Sequence, residues 1–192
     1  MIDLSPFEFK ALIFDCDGTI ADTMPLHYES WVHAFRSHGA RFPFEPEDLM
    51  SMAGVGLHDT VALLNERHAE SLDADQVVAA KERYFIENLK SVGAIPEVAA
   101  VIEARRGKTP MAVASGSYRP TVRTTLERLG LSDCFDAIVT QDDVTRGKPA
   151  PDLFLLAAER LKAPAARCLV FEDSDLGIQA ATAAGMRSIK IP

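Results

Sequence analysis

The sequence is poor in cysteine and has neither a long apolar run nor a cluster of basic residues, and each absence argues against one class of protein. The three cysteines among 192 residues are odd in number and lack the spacing of metal ligands, a pattern typical of a reducing compartment. The apolar runs are too short to span a bilayer. The first residues lack the basic region and apolar core of a signal peptide. We therefore expect a cytoplasmic protein that binds no membrane.

Acidic residues outnumber basic ones, 28 to 20, which leaves a formal net charge of -8 at pH 7. A chain with this balance and no basic run is not expected to bind nucleic acid. A phosphate-bearing ligand would therefore have to be held by a few local groups. With 47% apolar residues the chain can bury a substantial core, and its length suits one domain with an insertion.

The most chemically loaded stretch is a short apolar run, 11–14, that ends in Asp15 and Asp17 beside Gly18. The run is typical of a strand that is buried on both faces, and residues two apart in an extended chain point the same way. Two carboxylates so close are unfavourable unless a cation lies between them or one keeps its proton. The stretch predicts a metal, a shared proton or both, and an ordinary Asp-Gly turn is the alternative.

Helical periodicity dominates from about residue 22 to residue 92, and short apolar segments alternate with helical patterns after it. The segments predicted as strands are 11–14, 111–114, 137–140, 168–171 and 188–191. This alternation predicts an α/β fold, a Rossmann-like doubly wound parallel sheet with helices on both faces. We accordingly divide the chain into a core of residues 1–21 and 93–192 and an inserted all-helical segment, residues 22–92.

Two later strands of the predicted sheet end in residues suited to phosphate. Ser115 and Gly116 follow the second strand, where a hydroxyl and a glycine amide can hold phosphate oxygens. Lys148 follows the third strand between a glycine and a proline, and its ammonium would offset the charge of a phosphoryl group. A small-residue turn and a surface lysine are the alternatives. Because ligands of such sheets bind beyond the carboxyl ends of the strands, we expect these groups to converge on the aspartates.

The fourth predicted strand ends in a second acidic cluster, which contains Glu172 and Asp173. Carboxylate oxygens are the ligands that Mg²⁺ prefers, so this cluster could complete a site begun by the first aspartates. Helix capping by Ser174 or Asp175 is the alternative, and both roles can hold together. Four successive strand ends that carry carboxylates, a hydroxyl, a lysine and carboxylates are not what turn chemistry alone predicts.

Taken together, these motifs resemble those of the haloacid dehalogenase superfamily of phosphohydrolases. Longer stretches resemble the branch that holds β-phosphoglucomutase and small sugar-phosphate phosphatases, namely 14–23, 147–152 and 172–181. The resemblance covers almost the whole chain. It implies a Mg²⁺-dependent phosphatase that acts on a small phosphorylated metabolite, such as a sugar or sugar-acid phosphate, through an aspartyl-phosphate intermediate.

The resemblance also implies roles for the individual residues. Asp15 would be the nucleophile, and Asp17 would protonate the leaving oxygen and then deprotonate water. Mg²⁺ would be held by Asp15, the backbone carbonyl of Asp17, and Asp173 with help from Glu172. The transferring phosphoryl group would be bound by Ser115, the Gly116 amide and Lys148.

The helical insertion, residues 22–92, would be a cap that closes over the site and selects the substrate. His27 matches a histidine that touches the second aspartate in mutase-like relatives, so we predict that it contacts the substrate site. An ordinary histidine on a helix surface or at an interface is the alternative. His58, the other histidine considered for the substrate site, has weaker support.

Two other functions remain as alternatives. β-Phosphoglucomutase carries a lysine and an arginine around the pair that matches Gly54 and Val55, and here Ala53 and Leu57 stand in their places. A mutase without that cationic grip would lose its bisphosphate, which favours a substrate with one phosphate. A phospho-acceptor domain of the response-regulator type is the non-enzymatic alternative, against which the insertion and Asp17 both argue. The sequence leaves open whether the protein is a monomer or a weak homodimer.

Overall fold

A computed structural model describes residues 2–52 and 55–192, and the chain divides into two compact units. The α/β unit comprises Met1–Asp22 together with Gly93–Pro192, and the helical unit comprises Thr23–Val92. Within the described ranges, no helix combines the length and apolar character needed to cross a membrane.

A parallel sheet forms the centre of the α/β unit. Its strands among the described residues are β1 (Ala11–Phe14), β2 (Met111–Ala114), β3 (Ala137–Val139), β4 (Cys168–Glu172) and β5 (Arg187–Lys190). They lie in the order β3-β2-β1-β4-β5. The first, second and fourth strands are buried along their whole length, as expected of parallel strands covered on both faces. The doubly wound parallel sheet predicted from the sequence is therefore confirmed.

The predicted ends of the later strands differ from the observed ones by a single residue. Thr140 leaves the sheet because its N–H donates to the Asp143 carboxylate at 2.8 Å, beside a short 3₁₀ turn. β4 runs one residue further than expected, to Glu172, and β5 begins one residue earlier, at Arg187. Glu172 is therefore the last residue of a strand and shares the strand's fixed backbone position.

Helices of the α/β unit cover both faces of the sheet. The helical unit contains α1 (Met24–Ser37), α2 (Pro46–Ser51), α3 (Leu57–His68) and α4 (Ala74–Asn88), and the α/β unit contains α5 (Pro96–Arg105), α6 (Arg119–Leu129), α7 (Asp152–Arg160) and α8 (Asp175–Ala183). Alternate residues of β1 point to opposite faces. Leu12 and Phe14 join the apolar cluster of α5 and α6, whereas Ala11 and Ile13 join that of α7 and α8.

The two central strands are held level at their carboxyl ends. Phe14 pairs with Phe171 in the β1–β4 register, and their rings stack with centroids 4.6 Å apart. Stacked aromatic pairs of this kind add to the stabilisation that comes from burial alone. The residues that follow, Asp15 and Glu172, consequently lie side by side at this edge of the sheet.

The helical unit has its own apolar core, to which α1 and α4 are the main contributors. The buried side chains of these two helices include Leu26, Trp31, Phe35, Val77 and Phe85. Asp73 caps α4, because its carboxylate accepts a hydrogen bond from the Gln76 N–H at 3.1 Å. The unit therefore has a packed interior of its own.

Candidate active site

β1 ends in a tight loop that keeps Asp15 beside β4. The Asp15 N–H donates to the carbonyl oxygen of Phe171 at 3.0 Å, and its side chain is buried. Further along, the N–H groups of Ile20 and Ala21 both donate to the carbonyl oxygen of Cys16 at 2.9 Å. Extended geometry therefore ends before the second aspartate, and the two aspartates need not point the same way.

Gly18 allows this loop to lie against the acidic residue that follows β4. Its φ of +80° is in the left-handed region, which favours glycine. A Cβ at this position would lie closer than 3.0 Å to the Asp173 carboxylate. The neighbouring Thr19 hydroxyl donates to Asp173 Oδ1 at 3.3 Å. The glycine of the first motif is thus required by the close approach as well as by the turn.

Lys148 links the ends of β1 and β4. Its Nζ lies 2.6 Å from Asp15 Oδ1 and 2.7 Å from Glu172 Oε2, and only 8% of the residue is exposed. The same ammonium lies 5.2 Å from the ring centroid of Phe154. The surface-lysine alternative is therefore wrong, and the predicted convergence of this lysine on the first aspartate is observed.

Three carboxylates gather around this lysine. Asp15, Glu172 and Asp173 each offer an oxygen, and these oxygens all lie within 4.8 Å of one another. Three carboxylates against one ammonium leave an excess of two negative charges when all are ionised. Buried charges are stable only when they are paired, so the group has the composition of a site for a divalent cation.

Burial and mutual repulsion shift the pKa values of this group. Burial raises the pKa of Asp15 well above its ordinary value, Lys148 acts against the rise, and the charges of Glu172 and Asp173 add to it. Burial and the Glu172 charge raise the pKa of Asp173 to about 6. Burial acts in the same direction on Glu172, but Lys148 outweighs it and lowers the pKa of Glu172. Burial and mutual repulsion therefore favour the protonated forms of Asp15 and Asp173, and a further cation would favour their ionised forms.

Asp17 has different partners from Asp15. Its Oδ2 accepts hydrogen bonds from the hydroxyl of Ser117 at 2.7 Å and from that of Ser115 at 3.4 Å. The Ser117 N–H in turn donates to the Ser115 hydroxyl at 3.0 Å. The second aspartate is thus oriented by the loop after β2, while Asp15 is oriented by Lys148.

The loop after β2 brings the other predicted phosphate ligands to the same edge of the sheet. Ser115 is buried, and its N–H donates to the carbonyl oxygen of Val139 at 3.0 Å. Gly116 is exposed, and a Cβ built on it meets no described heavy atom within 4 Å. Space for a ligand is therefore open beside the Gly116 amide.

The predicted histidines both lie in the helical unit. His27 is buried on α1, with its ring stacked on Phe85 of α4 at a centroid distance of 4.3 Å, which fits the alternative of a histidine at an interface between helices. Its contact with the substrate site stays a prediction. His58 is exposed on α3, where its Nε2 lies 3.1 Å from Asp75 Oδ1. Ala53, on which the comparison with mutases depends, is outside the described residues.

Sequence reasoning overlooked two residues that contact carboxylates at this edge of the sheet. Ser117 lies two residues after Ser115, and this spacing is the signal that could have placed both hydroxyls beside Asp17. Gly177, in the first turn of α8, approaches Glu172 so closely that a Cβ there would overlap the carboxylate. No local pattern reveals that second contact.

The fold defines a doubly wound α/β protein, and its candidate ligand site lies beyond the carboxyl ends of the central strands. A family model described as haloacid dehalogenase-like hydrolase matches residues 9–185, and the chain belongs to this family. The family and the hydrolase class predicted from the motifs are therefore confirmed.

Known relatives cover nearly the whole chain. The fructose-1-phosphate phosphatase YqaB of Escherichia coli is 37% identical over 184 residues, which are 95% of this chain and 96% of that protein. A phosphorylated carbohydrates phosphatase of Thermotoga maritima is 33% identical and matches 94% of this chain and 83% of its own length. Among solved structures, CbbY of Rhodobacter sphaeroides in complex with phosphate superposes with a TM-score of 0.86 at 29% identity, covering 96% of this chain and 86% of that one.

Proposed function

We propose that the protein is a Mg²⁺-dependent phosphatase that hydrolyses a small sugar phosphate, with Asp15 as the nucleophile. The observation that carries the proposal is the position of Lys148, which donates to Asp15 and Glu172 at 2.6 and 2.7 Å within a buried acidic group. A lysine so placed fixes the rotamer of the Asp15 carboxylate and supplies positive charge where a phosphoryl group would arrive.

The donor set fits Mg²⁺. Asp15 and Asp173 offer carboxylate oxygens, Glu172 adds charge beside them, and the backbone carbonyl of Asp17 is the further ligand that we propose. When all three carboxylates are ionised, the excess of two negative charges in the group matches one divalent ion. When bound, Mg²⁺ would neutralise charge on the phosphoryl group in transfer.

The two aspartates would divide the chemistry between them. The Asp15 carboxylate would attack phosphorus and form an aspartyl phosphate, which splits a difficult hydrolysis into two steps. Asp17, oriented by Ser115 and Ser117, would donate a proton to the leaving oxygen and then take one from the attacking water. Ser115, the Gly116 amide and Lys148 would hold the phosphoryl oxygens through both steps.

We further propose that the helical insertion, residues 22–92, which contains the helical unit Thr23–Val92, selects the substrate and that His27 takes part in its recognition. The unit supports this role by being a compact insertion that follows the two aspartates directly in the chain. Similarity to a fructose-1-phosphate phosphatase over nearly all of both chains makes fructose 1-phosphate the first substrate to test.

A phosphate-release screen over sugar phosphates and one aryl phosphate tests the proposal. We expect turnover with Mg²⁺, none after chelation, and a loss of at least ~10³-fold in kcat for Asp15→Asn. Asp133→Asn, which changes an exposed aspartate of the same unit, is the matched control and should retain activity. A folded protein that releases no phosphate from any compound would overturn the proposal. Phosphate that reappears on the sugar instead of in water would identify a mutase.

A further inference from the structure

The first turn of α8 forms a socket for the Glu172 carboxylate. Ser174 is the N-cap residue of this helix, and its hydroxyl oxygen accepts a hydrogen bond from the Gly177 N–H at 3.0 Å. The same hydroxyl donates to Glu172 Oε1 at 2.7 Å, and the Ser174 N–H donates to that oxygen at 3.1 Å. One oxygen of Glu172 is therefore held entirely by the helix cap.

Gly177 provides the space that the socket needs. In an ordinary capping box, the third helical residue is a glutamate or glutamine whose side chain accepts from the N-cap N–H. Here the third helical residue is Gly177, and the carboxylate of Glu172 takes that bond instead. A Cβ on Gly177 would lie closer than 3.0 Å to the Glu172 carboxylate group. The absence of a side chain is thus a steric requirement of this arrangement.

The other oxygen of Glu172 connects the socket to the proposed reaction. Glu172 Oε2 accepts from Lys148 Nζ at 2.7 Å, and Lys148 also donates to Asp15 at 2.6 Å. Glu172 is only 1% exposed, so water cannot replace a lost partner. Removal of one partner of a buried charged hydrogen bond is costly for this reason.

We propose that Ser174 and Gly177 are positioning residues, which fix Glu172 so that Glu172 can fix Lys148 on Asp15. Neither residue contacts Asp15, and both act through the Glu172 carboxylate. The effect on turnover rests on the proposed phosphatase function, whereas the socket itself can be tested without any activity.

A double-mutant cycle between positions 177 and 172 tests the proposal. Gly177→Ala should lower kcat by at least ~10-fold, because the added methyl group displaces Glu172. In a Glu172→Ala background, where the socket is empty, the same change should alter kcat by less than ~2-fold. Gln179→Ala, an exposed position on α8, is the control and should stay within ~2-fold of the unmodified protein. Two results would overturn the proposal. One is a small effect of Gly177→Ala alone on kcat, and the other is a double variant whose loss of kcat equals the product of the two single losses.

Thermal unfolding after metal removal separates this inference from the proposed function. It is measured on the four proteins of the cycle, namely the unmodified protein, Gly177→Ala, Glu172→Ala and the double variant. Gly177→Ala should lower Tm when Glu172 is present, because the added methyl group overlaps the carboxylate. In the Glu172→Ala background the same change should raise Tm, because alanine has a higher helix propensity than glycine. If no sugar phosphate is hydrolysed but this reversal is seen, the phosphatase proposal fails and the socket stands. If phosphate is released but Gly177→Ala changes Tm by the same amount in the unmodified protein and in the Glu172→Ala background, the socket is wrong.

Substitutions of Ser174 separate helix capping from positioning. Aspartate caps a helix as well as serine does, but it cannot donate to Glu172. Threonine keeps the hydroxyl donor. We therefore expect Ser174→Thr to retain kcat within ~3-fold, and Ser174→Asp to lose at least ~10-fold while the helical circular dichroism is unchanged. Equal losses in the two variants would contradict a positioning role.

Discussion

Each unit buries a lysine, and the two lysines have different kinds of partner. In the α/β unit, Lys148 contacts two carboxylates that lie 133 and 24 residues away in the sequence. In the helical unit, Lys81 pairs at 2.7 Å with the adjacent Glu82, and its ammonium lies 5.8 and 5.2 Å from the rings of Trp31 and Phe85.

The difference teaches how a functional site can be told from a packing arrangement. The Lys81 pair is local and electrically balanced, and two aromatic rings lie near its ammonium. The free-energy cost of burying it is therefore offset by groups of one helix and its neighbours. With its three carboxylates ionised, the Lys148 group carries surplus negative charge, which bound protons or a further cation would balance. We infer that unbalanced buried charge from distant parts of the chain is the stronger mark of a ligand site.

Replacement of each lysine by methionine gives the largest expected contrast. Lys148→Met leaves adjacent carboxylates buried without their cation, and should cost roughly 3–5 kcal/mol of unfolding free energy without metal. Lys81→Met leaves one carboxylate without its partner, and the Glu82 side chain is 17% exposed to water, so this change should cost less than Lys148→Met. Denaturant unfolding after metal removal measures both. Equal losses would mean that the distant partners of Lys148 add nothing.

A pair of glycines sharpens the comparison further. Gly18 in the α/β unit and Gly39 in the helical unit have φ of +80° and +78°, but an added Cβ overlaps Asp173 only at the first. Gly39→Ala should therefore cost only the backbone term, about 1 kcal/mol. Gly18→Ala should cost roughly 3 kcal/mol, because the overlap adds to that term. Matched unfolding curves would contradict the close approach of Gly18 to Asp173.

Stability of the α/β unit should also depend on pH in a characteristic direction. The folded pKa of Asp173, about 6, lies above its ordinary value of 3.8, so the folded state holds the proton more tightly. The stabilisation of the folded state that results is fully present below pH 3.8 and is lost as the pH rises through about 6. In the helical unit, hydrogen bonds from Gln76 lower the pKa of Asp73, so its contribution is instead lost as the pH falls.

We therefore expect the Tm of metal-free protein to fall with rising pH across this window, and added Mg²⁺ to remove the decline. Asp173→Asn should flatten the profile, because the amide does not titrate. An unchanged slope in that variant would assign the pH dependence to other groups. Thermal scans with a chelator and with Mg²⁺ make the measurement.

The smallest effect is expected at His58. Its contact with Asp75 is an exposed pair, with side chains 47% and 93% accessible. His58→Ala should change the unfolding free energy by less than ~0.5 kcal/mol, as exposed pairs usually do. A loss comparable to that of Lys148→Met would show that exposure is a poor guide in this unit.

The sequence by itself determined the fold class and the strand ends that carry the candidate chemistry. Strands such as 11–14 and 111–114 are predicted from the local pattern of apolar residues, which is visible in the sequence without coordinates. The carboxylates, the serine and the lysine were identified because ligands of parallel sheets bind beyond the carboxyl ends of their strands.

Only the tertiary structure decided which of these groups contact one another. Strand order places β4 beside β1 although they are far apart in sequence, and the register sets Asp15 level with Glu172. The separate partners of Asp17 and the contact of Gly177 with Glu172 follow from that packing. The physical reason is range, since periodicity and turn propensity act between neighbours along the chain, whereas hydrogen bonds and steric limits act between whatever the fold brings within a few ångströms.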